Sequence, residues 1–259
     1  MEQILQYLPN FLLIFCRITA FFVTAPIFNS KNIPTQFKIG LSFFITMIIF
    51  SILGLTHPVS FDSLYIVAIF REIFIGLTIG FIAYLYLTAI QMAGTFADMQ
   101  IGFGLANIID PMNGFQSPIL GNFKYILAVL LFFAMNGHHF IIDGIVQSYH
   151  WIPLSGNVIA SKFQDGSLTM FVVRSFTEVF SVAIQLSAPI VVSLFLTDVG
   201  LGILAKTAPQ LNIFVVGIPI KLLVGLVMLM LLIPGLLHLD LGLFQKMFAR
   251  IDQMFAIFT

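Results

Sequence analysis

Two basic side chains, Arg17 and Lys221, lie within long apolar stretches of the sequence. A charge in such a stretch is unfavourable in a bilayer, so it is usually paired or faces a polar cavity. Three roles fit the pattern: an ion pair that fixes packing, a contact with another subunit, or a relay for protons or substrate in a secondary transporter. The last role is often accompanied by repeats with broken helices at matching positions, and the sequence contains no clear repeat.

Carboxylates near the ends of the apolar stretches are possible partners for these two charges. They are Glu72, Glu178 and Asp98. Glu72 directly follows Arg71. Gly76 and Gly80 form a GxxxG pattern, which allows two helices to approach closely. We expect that pattern to serve tight packing within the chain.

A second group with possible chemistry is His138, His139 and Asp143. His139 and Asp143 are four residues apart, so they share one helix face, as two metal ligands would. The sequence has no HExxH motif, and no third ligand accompanies the group. We therefore favour the interpretation that these polar residues end an apolar helix, and an intramembrane hydrolase is the weaker alternative. Since serine-nucleophile and phosphate-loop motifs are also absent, we predict no catalytic residues, no metal site and no cofactor.

The most unusual stretch is residues 98–124, DMQIGFGLANIIDPMNGFQSPILGNFK. It is too polar and too rich in glycine and proline to span a bilayer, yet too apolar for a solvated loop. Irregular backbone at membrane depth persists only inside protein or along a water-filled cavity. The stretch is thus either a re-entrant or pore-associated loop or a surface loop with an apolar face.

The composition of the whole chain indicates that most of its surface faces an apolar environment. Hydrophobic residues make up 59% of the 259 residues and charged residues 8%, against roughly 25% charged in soluble domains. Eleven basic residues balance eleven acidic ones. A nucleic-acid partner needs a basic excess, so the balance excludes one, and the low charge argues against a soluble domain.

Six apolar segments approach the length of about 20 residues that spans a bilayer. They cover about 4–28, 39–55, 73–97, 125–136 with a polar continuation to 148, 179–197, and 211–237. The side of both termini carries five Lys and Arg, and the other side carries four in its connections and Lys221 within the last segment, so the charges set no orientation. The last residues, from Phe244 to Phe258, carry apolar side chains at spacings of three and four, which predicts an amphipathic helix on lipid or on a partner.

Three sequence stretches carry a resemblance to a known family. They are RITAFFVTAPIF at 17–28 with Ile33, Pro34 and Lys38, residues 102–118, and TDVGLGILAKTAPQLNIFVVGIPIKLLVG at 197–225. Over essentially its whole length the chain resembles the FliR family of flagellar export-gate proteins, whose virulence-system relatives are SctT (SpaR, YscT). Asp110 and Pro111, followed by Ser117 and Pro118, resemble the flagellar rather than the injectisome type.

The resemblance implies an all-α integral membrane protein that forms one export-gate domain over 1–259. Its residues 1–169 would be a FliP-like part, and 170–259 a FliQ-like helical hairpin that turns at Lys206, Pro209 and Gln210. A central loop at about 106–121 would help to plug the closed channel. The plug residues are Ala106, Asn107, Ile108, Ile109, Asp110, Pro111, Met112, Asn113, Gly114, Phe115 and Pro118.

The family also implies partners and a location. The chain would assemble with FliP-like and FliQ-like subunits, with FlhB-like and FlhA-like export components nearby, in the inner (cytoplasmic) membrane at the flagellar basal body. Unfolded flagellar proteins would be the substrates, and lipid would contact the surface. Apolar segments covered by partner subunits would explain why the charges set no orientation. An ion-coupled secondary transporter is the alternative function.

Overall fold

The computed structural model describes residues 7–30, 32–53, 59, 62, 64–103, 118–154, 165–210 and 212–257. Within these ranges the regular secondary structure is α-helical, and no strand occurs among them. The described helices are α1 (Leu8–Thr24), α2 (Thr35–Leu53), α3 (Leu64–Ile101), α4 (Ile119–Ala134), α5 (Gly137–Trp151), α6 (Ser167–Thr207) and α7 (Ile213–Ala256).

Each predicted apolar segment corresponds to a helix, but three of these helices are much longer than predicted. Helix α3 has 38 residues, α6 has 41 and α7 has 44. The predictions followed only the most apolar windows, whereas a helix continues through polar residues until its backbone is interrupted. The predicted change of character near residue 136 is a helix break, since Asn136 has a φ of 57° between α4 and α5.

The helices are those of a membrane protein. Helices α2, α3, α6 and α7 are long and apolar enough to cross a bilayer, and α4 with α5 makes a fifth candidate if the pair is one broken span. Helix α6 contains Pro189, and α7 contains Pro219 and Pro234. Membrane helices tolerate such prolines because neighbouring groups satisfy the freed carbonyls. The chain is therefore an all-α membrane protein.

The chain divides into two compact units. Unit 1 comprises Met1–Leu85, Asn136–Phe176 and Gln245–Thr259, and unit 2 comprises Tyr86–Met135 and Thr177–Phe244. In unit 1, α1 is buried through Leu13, Ile14 and Ile18. It packs on α2, where the ring of Phe11 lies edge-on to that of Phe43 at 5.7 Å.

Unit 2 has its own core, formed by α3, α4, α6 and α7. Its buried members are Ala97, Ile101, Leu120, Ile190, Leu194 and Leu229. Phe132 of α4 and Phe244 of α7 add an edge-to-face ring pair with centroids 5.4 Å apart. These apolar contacts bring the first turn of α4 against the end of α3.

The prediction that the apolar face of the C-terminal tail covers lipid or a partner is wrong for the described residues. Ile251 is 3% exposed and Phe255 is 1% exposed. Within unit 1, the ring of Phe248 lies 4.9 Å from that of Phe140. The tail is the last part of α7, and its apolar face is buried within its own chain.

Candidate functional sites

A network of charged groups lies in the interior of unit 1, centred on Arg17 of α1. The Arg17 side chain is fully buried, and its Nε lies 2.5 Å from Oε2 of Glu72, which is also fully buried. Its Nη1 donates to Oγ of Ser148 at 2.8 Å, and Nη2 donates to the carbonyl of Ile152 at 2.9 Å. Its Cζ lies 3.9 Å from the centre of the Tyr149 ring. The guanidinium thus connects α1 to α3 and to the end of α5.

The Glu72 carboxylate is shared by a second guanidinium. Arg71 donates to Oε1 from Nη2 at 3.0 Å and from Nε at 3.2 Å, and it also donates to the carbonyl of Leu154. Two cations therefore contact one buried anion. Because charges at low dielectric interact strongly, this carboxylate is the most important single group in the network.

The glycines of the GxxxG pattern bring α3 close enough to α1 for these contacts. A Cβ on Gly76, one turn after Glu72, would overlap the carbonyl oxygen of Arg17. A Cβ on Gly80 would lie 2.8 Å from the carbonyl oxygen of Phe21. The prediction of tight packing within the chain is confirmed at both glycines.

The second site lies in unit 2, where the chain leaves α3 and enters α4. Asp98 is 5% exposed. Its Oδ1 accepts a hydrogen bond from the backbone N–H of Leu120 at 3.0 Å, and Oδ2 accepts one from Gly121 at 3.1 Å. The amides in the first turn of a helix have no partner within that helix, and a carboxylate there also interacts favourably with the helix dipole. Asp98 thus fastens the start of α4 to the end of α3.

Two further contacts strengthen this junction. Gly94 faces Gly121, and a Cβ on Gly94 would lie only 2.5 Å from Cα of Gly121. One turn earlier on α3, Gln91 donates to the side-chain oxygen of Asn122 at 3.0 Å. From its sequence position, Asp98 was predicted only as a possible ion-pair partner. The glycines on both sides of the junction were the additional sequence signal for this close approach.

Lys221 has a partner that is not among the predicted carboxylates. Its Nζ lies 3.0 Å from Oδ2 of Asp198 on α6, which also accepts a hydrogen bond from Gln100 at 3.2 Å. The side chain of Lys221 is 21% exposed and that of Asp198 is 41% exposed. The prediction of a buried charge is therefore corrected to a half-buried ion pair.

The residues of the predicted hairpin turn lie in the last turn of α6 and in the connection to α7. Helix α6 ends at Thr207, and Lys206, Pro209 and Gln210 are exposed. The amide of Ala208 donates to the carbonyl of Leu204 at 2.9 Å. The three residues are thus near one another in the chain and accessible at its surface.

The predicted plug residues from Ala106 to Phe115 lie outside the described residues. Pro118 is described, has extended backbone with φ −61° and ψ 124°, and immediately precedes α4. The alternative metal group contains no set of three suitable ligands in the described part of the chain. Its Asp143 carboxylate accepts a hydrogen bond from Gln147 at 2.6 Å.

Comparison with known proteins identifies the family to which the chain belongs. Residues 8–247 match the model of bacterial export proteins, family 1. The flagellar biosynthetic protein FliR of Bacillus subtilis is 44% identical over 229 residues, 88% of each chain. FliR of Pectobacterium carotovorum is 34% identical over 95% of this chain and 92% of its own, and FliR of Escherichia coli is 30% identical over 95% and 93%.

The match to the family model covers the arginine network, the α3–α4 junction and most of α7. The family assignment made from the three sequence stretches is confirmed. The chain belongs to the bacterial export proteins of family 1, the family of the flagellar biosynthetic protein FliR.

Proposed function

We propose that the protein is a core channel subunit of the flagellar type III export gate, through which unfolded flagellar proteins cross the cell membrane. The observation that carries this proposal is the match to the B. subtilis protein over 88% of both chains. The three relatives described above are named flagellar biosynthetic proteins, and the comparisons give no support to the ion-coupled transporter. The location is the cytoplasmic membrane at the flagellar basal body.

The length of the exposed apolar helices supports the proposal that partner subunits contact the chain. On α6, large apolar side chains are exposed from Met170 to Leu204, which corresponds to about 50 Å of helix at 1.5 Å per residue. A hydrocarbon core is only about 30 Å thick, so lipid covers part of this face and protein covers the rest. FliP-like and FliQ-like subunits are the proposed cover, and FlhB-like and FlhA-like components complete the gate. On this proposal, residues 1–169 are the FliP-like part and 170–259 the FliQ-like hairpin.

The segment between α3 and α4 is the proposed plug. The junction at Asp98 supports this assignment because it fixes both ends of the segment to one another. A closing element needs a firm base and displaceable contacts at its tip. Its apolar residues, such as Ile108, Ile109 and Met112, would exclude water from the lumen.

Co-purification from native membranes tests the assembly. We expect the tagged full chain, extracted in mild detergent, to carry FliP-like and FliQ-like subunits in one complex whose intact mass gives the copy numbers. Recovery of the chain alone or as a small homo-oligomer would contradict a gate subunit and favour a transporter.

Genetic complementation tests the function. Cells that lack the chain should assemble no flagella and export no flagellar proteins, and the full chain supplied in trans should restore both. Lys246→Met is a suitable control variant, since Lys246 is exposed, and it should complement fully. Normal export in cells without the chain would overturn the proposal.

A further inference from the structure

A small cavity lies within unit 2 between α4 and α7. Its volume is about 20 Å³. Six apolar side chains and two charged ones line it: Phe123, Leu127, Leu229, Ile233, Leu236, Leu237, Lys124 and Asp240. Neither charged residue is among the predicted functional residues, and neither belongs to the sites described above.

Both charged residues are buried, and each has a side-chain polar atom without a hydrogen-bond partner. Lys124 and Asp240 are each 4% exposed. In the described part of the chain, Nζ of Lys124 and Oδ1 of Asp240 have no hydrogen-bond partner. The ion pairs found there, Arg17–Glu72, Arg71–Glu72 and Lys221–Asp198, do not include them. An ammonium group and a carboxylate therefore share one cavity without direct contact.

Buried charges whose polar atoms lack hydrogen bonds are unfavourable unless another group forms hydrogen bonds with them. A buried charge needs both an opposite charge and hydrogen bonds to replace its lost hydration. Here the opposite charge is present across the cavity, and the missing component is a group that accepts from Nζ and donates to Oδ1. Water has both capacities, and a cavity of about 10–15 Å³ is enough to hold one molecule. The apolar remainder of the lining leaves no site for a second strong polar contact.

We propose that this cavity holds one water molecule, which accepts a hydrogen bond from Nζ of Lys124 and donates one to Oδ1 of Asp240. The water completes a buried ion pair that joins α4 to α7. Lys124 lies one turn after Leu120 and Gly121, whose amides bind Asp98. The start of α4 is thus fixed on two sides, to α3 by a carboxylate and to α7 by the bridged pair. This inference does not depend on the function proposed above.

A double-mutant cycle on the detergent-solubilised full chain tests the pairing. Lys124→Met and Asp240→Leu each leave one buried charge without its counterpart. Each should lower the midpoint of thermal unfolding by at least about 5 °C. The double variant should recover most of that loss, because it leaves no buried charge. Lys246→Met on the exposed side of α7 is the matched control and should not shift the midpoint. Additive losses in the double variant would overturn the pairing.

The water itself needs a direct observation. In a density map of the full chain that resolves ordered water, we expect one density feature within hydrogen-bond distance of both Lys124 Nζ and Asp240 Oδ1. The feature should vanish in the Lys124→Met/Asp240→Leu variant. A direct Lys124–Asp240 contact, an empty cavity, or a polar side chain of a partner in that position would each overturn the proposal.

Discussion

Two buried carboxylates, Glu72 in unit 1 and Asp98 in unit 2, are stabilised by different kinds of donor. In unit 1, Arg17 and Arg71 contact the Glu72 carboxylate directly, and Arg17 also donates to Ser148 and to the carbonyl of Ile152. In unit 2, the Asp98 carboxylate binds two backbone amides. The first arrangement joins helices by opposite charges, and the second fixes a helix start. The Glu72 site therefore links three helices of unit 1, whereas the Asp98 site holds the start of α4 against the end of α3.

The largest effect should follow removal of the shared carboxylate. Glu72→Gln leaves Arg17 and Arg71 without the anion that both contact, and an uncompensated buried charge costs about 3–5 kcal/mol. We expect loss of most folded chain from the membrane, measured by quantitative immunoblotting of membrane fractions. A normal amount of folded chain would refute the view of this network as the main cross-link of unit 1.

Arg17→Leu should also lower assembly and motility, but less than Glu72→Gln. Once Arg17 is removed, Glu72 still has Arg71, so a neutral pair remains. The carbonyl of Ile152 loses its donor, and an unsatisfied buried polar group costs about 1–3 kcal/mol. Export and motility assays on the two variants, at equal expression, measure which substitution causes the larger loss. The reverse order would show that the network depends on Arg17 rather than on the carboxylate.

Sequence reasoning predicted the helices better than it predicted the contacts between their side chains. The apolar segments, the GxxxG contact and the family were accessible because each depends on local spacing. The acceptor for Lys221 was not, because Asp198 lies 23 residues away on another helix. The tail was misassigned for a similar reason. Its apolar face was visible in the sequence, but the partner that covers it, including Phe140, is more than 100 residues distant.

At the junction of unit 2, Asp98→Ala should cost about 1–3 kcal/mol, because the amides of Leu120 and Gly121 lose their acceptor in a buried site. Asp98→Asn is an informative companion. Its amide can still accept from one of these N–H groups, but its NH₂ group then faces the other, so two donors meet. We expect both variants to unfold at lower temperature than the parent chain in detergent. Wild-type behaviour of Asp98→Ala would show that these two hydrogen bonds do not stabilise the junction.

Lys221→Met should have a smaller effect on stability. The pair with Asp198 is half-buried, and ion pairs with solvent access contribute about 0–1 kcal/mol. Thermal unfolding of the isolated chain should therefore change little. A loss of co-purifying subunits at unchanged stability would assign Lys221 to a subunit contact, whereas unchanged co-purification would leave it as a packing contact.

Deletion of residues 107–115 should change stability least of all and channel closure most. The residues on either side are held together, because Phe103 donates to the Asp98 carbonyl while Leu120 donates to its carboxylate. The five residues left between Phe103 and Pro118 can extend to about 16 Å, so α3 and α4 can keep their contacts. The complex should assemble, but its membrane should leak ions and small molecules.

Replacement of Ile108, Ile109 and Met112 by Ser at unchanged length is the matched control for the apolar seal, and membranes with this variant should leak to an intermediate degree. Measured conductance equal to that of the parent, in a deletion complex of correct mass, would make the segment a linker rather than a plug.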